Sequence, residues 1–257
     1  VTCRGIPSDD NDSACGGAVG LMAVGALVNN VASYARVSTD NGAALVGKAV
    51  NNAAIWDSFT AGAVSPIHPA TAALSGCIND LPQSLGPLAE MPPLAAPDAV
   101  GSVYSAAVVS GAGAGFGRIL NVGARIESAF FSGKLACGPA LAVQPGNATT
   151  LSFYFDAARA GTTACVSTGD GSWPGCTAKN VSGDAPAYFM GNSINPPLDS
   201  WDFTDVWKIC EGGYPVLQWM PCGLTVAAAL SSSSLLVGET TTIGVQFTVG
   251  DYLPADG

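Results

Sequence analysis

Val24-Gly-Ala-Leu-Val28, then Asn29-Asn30, then Ser33-Tyr-Ala-Arg-Val-Ser38 is the stretch on which the fold turns, because the chain says it again. Ala44-Leu-Val-Gly47, Asn51-Asn52 and Ser58-Phe-Thr-Ala-Gly-Ala-Val-Ser65 follow in the same order, placing Tyr34 and Phe59 about 25 residues apart. A second pair, Val103-Tyr-Ser-Ala-Ala-Val-Val-Ser110 and Ala129-Phe-Phe-Ser-Gly-Lys-Leu135, repeats at an offset of about 26. Self-similarity at such a period, in short β-branched runs broken by Gly and Asn, is the signature of a parallel β-solenoid. Each coil then stacks about 4.8 Å from the last, and like residues form ladders.

Outward from this core, residues 66–97 are rich in Pro, Leu and Ala and read as a loop inserted into one coil. With 32 Gly and 17 Pro, long helices are not expected. A net charge of -10 with only 9 Lys and Arg opposes nucleic-acid binding. The apolar stretch of residues 16–28 is shorter than the roughly 20 residues a membrane helix needs. The chain opens at Val1 without a charged-then-apolar leader, so a signal peptide is expected to be removed or to lie outside this segment.

Eight cysteines, Cys3, Cys15, Cys77, Cys137, Cys165, Cys176, Cys210 and Cys222, include no Cys-x-x-Cys pair, and there is one His. That favours disulfides over zinc. Short loops close at the lowest entropic cost, so the expected pairs are Cys3 with Cys15, Cys165 with Cys176 and Cys210 with Cys222, leaving Cys77 with Cys137. Asn11, Asn147 and Asn180 head Asn-x-Ser/Thr sequons. Together these features point to an extracellular, cell-surface glycoprotein.

The phrases VGALVNNVASYARVS and AALVGKAVNNAAIWDSFTAGAVS resemble the GLUG repeats of bacterial and algal surface proteins, and SWDFTDVWKICEGGYPVLQW, residues 200–219, resembles the segment that closes a GLUG array. The resemblance spans roughly residues 17–219. It implies an all-β parallel solenoid (β-helix), here stapled by disulfides, and an adhesin-type surface role. The cysteine load, unusual for bacterial members, suggests an algal surface or flagellar-hair, mastigoneme-like protein.

Three regions are expected: a disulfide-closed N-terminal loop at 1–16, the solenoid at 17–220, and from 221 to 257 the start of an immunoglobulin-like β-sandwich, of which only two or three strands are present. No catalytic site is expected. His68 sits between prolines in a loop. Asp9, Asp10 and Asp12 offer oxygen ligands for calcium, with a solvated turn the favoured reading. Asp199, Asp202 and Asp205 read as turn and cap residues, and Gly111–Gly117 as a tight solenoid turn or a flexible loop. Trp201, Phe203, Trp207, Tyr214 and Trp219 read either as a sugar-stacking platform or, preferentially, as a structural cap over the open solenoid end. The function expected is a non-catalytic structural or adhesive module of a surface appendage or filament. Its expected partners are other copies or domains of the same assembly and cell-surface glycans. The alternatives are a lectin-like carbohydrate-binding module and a polysaccharide-active β-helix enzyme.

Overall fold

The structure, a computed structural model, describes residues 15–22, 25–38, 42–49, 53–65, 84–85, 88–91, 99–120, 125–144, 149–167, 169–181, 188–222, 224–230 and 243–249. Among these the chain winds into a parallel β-solenoid of about four turns. The first coil contains β1 (Cys15–Gly16), β2 (Val19–Met22), β3 (Leu27–Asn29), β4 (Ala32–Ser33) and β5 (Arg36–Ser38). The second contains β6 (Gly42–Ala43), β7 (Val46–Ala49), β8 (Ala54–Thr60) and β9 (Ala63–Ser65), and the third β10 (Ser84–Leu85), β11 (Leu88–Met91), β12 (Ala99–Ser105) and β13 (Val108–Ala112). The fourth contains β14 (Gly117–Leu120), β15 (Arg125–Phe131) and β16 (Lys134–Cys137). An incomplete final coil contains β17 (Ala142–Gln144), β18 (Thr149–Thr150), β19 (Phe153–Asp156), the short helix α1 (Ala157–Ala160) and β20 (Cys176–Lys179).

Three faces result. The first runs β17-β14-β11-β7-β2, the second β20-β19-β15-β12-β8-β3, and the third β16-β13-β9-β5, with β1-β6-β10 forming a small fourth sheet. Val103 pairs with Ala129 and Tyr104 with Phe130, the expected offset of 26. In the first pair of coils the offset is 27, since Leu27 faces Ala54 and Val37 faces Val64. Phe59 therefore has Ala32 as its register partner, not Tyr34. The ring of Tyr34 instead reaches Phe59 edge-on, at 5.7 Å.

The inserted segment is also shorter than expected at its C-terminal side. Leu88–Met91 lies on the first face between β7 and β14 rather than in a loop. In sequence, Pro87 and Pro92 immediately flank this strand and no proline falls within it, where a missing N–H would interrupt the ladder.

One backbone feature shapes the second face. Asn30, Asp57, Ser102 and Ser128 have φ of 60, 47, 51 and 55, a left-handed conformation uncommon for non-glycine residues. Flanking pairs such as Trp56 with Gly101 and Ser58 with Val103 put them on one rung position in four successive coils. In a plain strand side chains alternate, so a residue three positions on would point to the other face. Here Val100 and Val103, like Ile126 and Ala129, both belong to the interior core. The left-handed residue between them shifts the alternation by one, as a bulge does. The next residue on each strand, Phe59, Tyr104 and Phe130, accordingly turns outward into a separate cluster.

Beyond the solenoid, β21 (Trp207–Lys208) pairs antiparallel with β22 (Val216–Leu217), and β23 (Leu224–Leu230) with β24 (Ile243–Val249). The latter pair is what is described of the region read as immunoglobulin-like.

Candidate interaction surface

The outward aromatics form a column. Phe59 stacks on Tyr104 at 4.8 Å with planes 3° apart, Tyr104 on Phe130 at 4.8 Å and 2°, and Phe130 on Phe189 at 4.4 Å and 1°. Phe189 comes from the closing segment and takes the stacking place next to Phe130, whose register partner is Tyr154. Tyr154 stacks instead beside Tyr188, with Lys179 Nζ 5.4 and 4.8 Å from the two ring centres. Burial pushes the Tyr188 hydroxyl pKa up, and Tyr154 and Asp199 add to it.

Residues 188–220 lie over this column. Trp201 packs on Phe130 and Tyr104, Trp207 on Phe59 and Tyr104, and Tyr214 on Tyr104 and Phe130. Tyr104 donates its hydroxyl proton to the Pro215 carbonyl at 2.9 Å, and Tyr214 and Ser132 share a short hydroxyl contact. The contacts correct the expectation of an end cap: Trp201, Trp207 and Tyr214 seal the outer flank of β8, β12 and β15, the middle strands, rather than the terminal strand of the stack. The physical reason is the shifted alternation, which leaves three large rings outside the coil that only a second layer removes from water.

The three tryptophans also follow the left-handed ladder. Trp201 Nε1 donates to the Ser128 carbonyl at 2.9 Å and its hydroxyl at 3.0 Å, and Trp219 Nε1 donates to Asn30 Oδ1 at 2.9 Å. The Trp207 indole N–H points at the Asp57 carboxylate, short of full hydrogen-bond geometry. Burial, the largest influence, pushes the Asp57 carboxyl pKa up; Trp207 opposes this and Asp202 reinforces it. Asp57 and Asp202 form the carboxylate pair that an enzymatic reading would examine. Asp202 Oδ1, however, accepts the backbone N–H groups of Thr204 and Asp205, at 2.8 and 3.0 Å, as a turn residue. Asp199 sits in the first turn of the 3-10 helix Leu198–Ser200.

Trp219 differs from its companions. It is 63% exposed, and two other large apolar residues of the first coil, Leu27 at 61% and Leu21 at 57%, are exposed as well. Phe203 is partly buried against the aromatic cluster. Only Trp219 of the expected cap set therefore offers a large open face.

The far end of the stack is built differently. β19 runs into α1, whose N-cap Asp156 accepts from Arg159 N at 3.0 Å and from Asn180 Nδ2 at 2.8 Å. Asn180, the one described sequon residue, thus helps to hold the cap. Cys165 bonds to Cys176 and Cys210 to Cys222, the local pairings that the spacing suggests. Cys15 and Cys137 are also disulfide-bonded. Cys3, Cys77, Asp9, Asp10, Asp12, Asn11, His68 and Asn147 lie outside the described residues. Within Gly111–Gly117 the chain leaves β13 at Ala112 and enters β14 at Gly117, joined by a four-residue bend in which Ala114 and Phe116 are fully buried. Beside the last coil a cleft of about 550 Å³ is lined by Leu135, Gly138, Thr162, Ser167 and Asp170. Asp170 is engaged there by the hydroxyl of Ser172 at 2.6 Å, which holds its carboxyl pKa down. Among the described residues no three His, Cys, Asp or Glu side chains are grouped as a metal site, and no helix is long and apolar enough to cross a membrane.

Comparison with family models, with curated proteins and with solved structures returns no match.

Proposed function

We propose that the chain is a non-catalytic structural or adhesive module of an extracellular surface appendage or filament, built on GLUG-like coils. The observation that supports this most is the exposed apolar surface of Leu21 and Leu27 in the first coil, within a stretch without charge, together with that of Trp219 of the closing segment, which bonds to Asn30 of that coil. Exposed apolar patches of this kind mark association sites. The disulfides fit an oxidising, extracellular setting. The hairpin β23–β24 fits the opening of an immunoglobulin-like module. Labelling intact source cells with a membrane-impermeant reagent tests the reading. The chain is expected labelled in the surface fraction, and recovery only from inside cells contradicts it.

Exposure of Trp219, oriented by its bond to Asn30, favours a second reading as a glycan-binding module. That reading expects the Trp219→Ala variant to lose binding on a glycan panel to which the parent chain binds.

A further inference from the structure

Trp56 lies outside the sealed aromatic cluster, on the half of the second face that precedes the left-handed ladder. Val28, Ile55, Val100 and Ile126 belong to the interior core. The next residue on each strand, Asn29, Trp56, Gly101 and Glu127, therefore points out, and these four are register partners in successive coils.

The Trp56 ring lies on the neighbouring coil. A Cβ built at Gly101 would come 1.9, 2.4 and 2.6 Å from Cζ3, Cε3 and Cη2 of the indole. Three adjacent ring atoms at such similar distances place the face of the ring, not its edge, on the glycine. Gly101 has no left-handed backbone that would call for a glycine, so what the position uses is the missing side chain. With one face on Gly101, the half-buried indole turns its other face away from the sheet. Polar side chains border it. Asn29, on the coil before, is exposed, and on the coil after Gly101 the side chains of Arg125 and Glu127 form an ion pair. The pair cancels its own charge, and a chain of net charge -10 repels a polyanion.

We propose that this surface binds a neutral oligosaccharide, with a pyranose ring seated on the open face of Trp56. This deepens the glycan-binding reading given above and rests on it, naming the class of glycan and a contact additional to Trp219. A pyranose matches the site because it has an apolar C–H face for the indole and a rim of hydroxyls that both donate and accept. Asn29 and the Arg125–Glu127 pair offer donors and acceptors in return. From Asn29 to Glu127 the row crosses three coil steps, about 14 Å at about 4.8 Å each, enough for several linked rings along the stack. Trp219, bonded to Asn30, stands at the first-coil end of this row.

Oxidative footprinting of the full, disulfide-bonded chain with N-bromosuccinimide, read by peptide mapping, tests this. The probes are the neutral hexasaccharides of glucose, mannose and xylose, with hexagalacturonate as the acidic comparison. Trp56 is expected to be oxidised in the free chain, and at least one neutral hexasaccharide at saturation is expected to slow that oxidation at least tenfold. In calorimetry with the same sugar, Trp56→Ala, with circular dichroism matching the parent, is expected to bind at least tenfold more weakly. Ile194→Lys, an exposed control, is expected to leave binding unchanged. Protection of Trp219 with Trp56 still oxidised keeps the glycan-binding reading and overturns this site. Tighter binding of hexagalacturonate than of any neutral sugar overturns the ligand class. Trp56 inert in the free chain shows that its face is covered, and overturns the site as well. Binding of none of the four sugars overturns the glycan-binding reading on which the site rests.

Discussion

Trp219 donates its indole N–H to the side chain of Asn30 at 2.9 Å, joining residues 189 positions apart in sequence. It is the outermost member of a series in which Trp219, Trp207 and Trp201 address Asn30, Asp57 and Ser128, three rungs of one left-handed ladder. The closing segment is thereby registered against the coils rung by rung.

The aromatic column is expected to dominate the stability of this second layer. Phe130 is fully buried between Tyr104 and Phe189, so Phe130→Ala should cost about 3–5 kcal/mol. Tyr104→Phe, which removes the bond to the Pro215 carbonyl and keeps the ring, should cost about 1 kcal/mol. Denaturant unfolding of both variants checks the ratio; equal losses would contradict the packing described.

Gly101 lies under the Trp56 ring, and a Cβ built there would come 1.9 Å from Trp56 Cζ3. Gly101→Ala should displace the indole at a cost of about 1–2 kcal/mol. Trp56→Ala should remove most of that penalty in the double variant, because the clash is then gone. Additive losses in a double-mutant cycle would refute the contact.

Asp57 has a folded-state pKa raised above its ordinary value of 3.8, chiefly by burial. Its ionised form therefore works against folding above the folded pKa. That penalty fades as the pH falls through the folded pKa and is gone below about 3.8. Asp57→Asn should stabilise the protein at neutral pH, with the difference from the parent vanishing in acid. Urea midpoints across pH check this, and an advantage that grows as the pH falls would contradict the sign.

The Cys210–Cys222 bridge spans 12 residues and closes a loop that contains β22, the second strand of the β21–β22 hairpin. Replacing both with Ser should cost about 3 kcal/mol, by releasing closure entropy into the unfolded chain. Tryptophan fluorescence should report loosening of Trp207 before the coils unfold. Simultaneous loss of both signals would show that the flank layer and the solenoid are one cooperative unit.

The coil architecture was legible because Val103–Ser110 and Ala129–Leu135 are true register partners whose residue types repeat. The Tyr34–Phe59 match misled by two residues. The two rings meet diagonally, while Val37 and Val64 carry the register. The left-handed ladder was hidden, since Asn, Asp, Ser and Ser share no side-chain property beyond small polar size. Without it the outward turn of Phe59, Tyr104 and Phe130 does not follow from alternation, and the closing tryptophans look like an end cap. Leu88–Met91 was masked by its proline-rich surroundings, and the exposure of Trp219 has no signal in a motif whose other aromatics are mostly buried.

Residue-resolved hydrogen exchange tests the central claim, a parallel coil stack, most directly. The amides of Phe59, Ala106 and Ser132 donate to Val31, Thr60 and Ser105, at 2.9, 2.7 and 2.8 Å, each bond joining one coil to the coil before it. The stacked solenoid predicts that all three exchange slowly, near the rate set by global unfolding. Exchange of any of them at the rate of an unstructured peptide would contradict it.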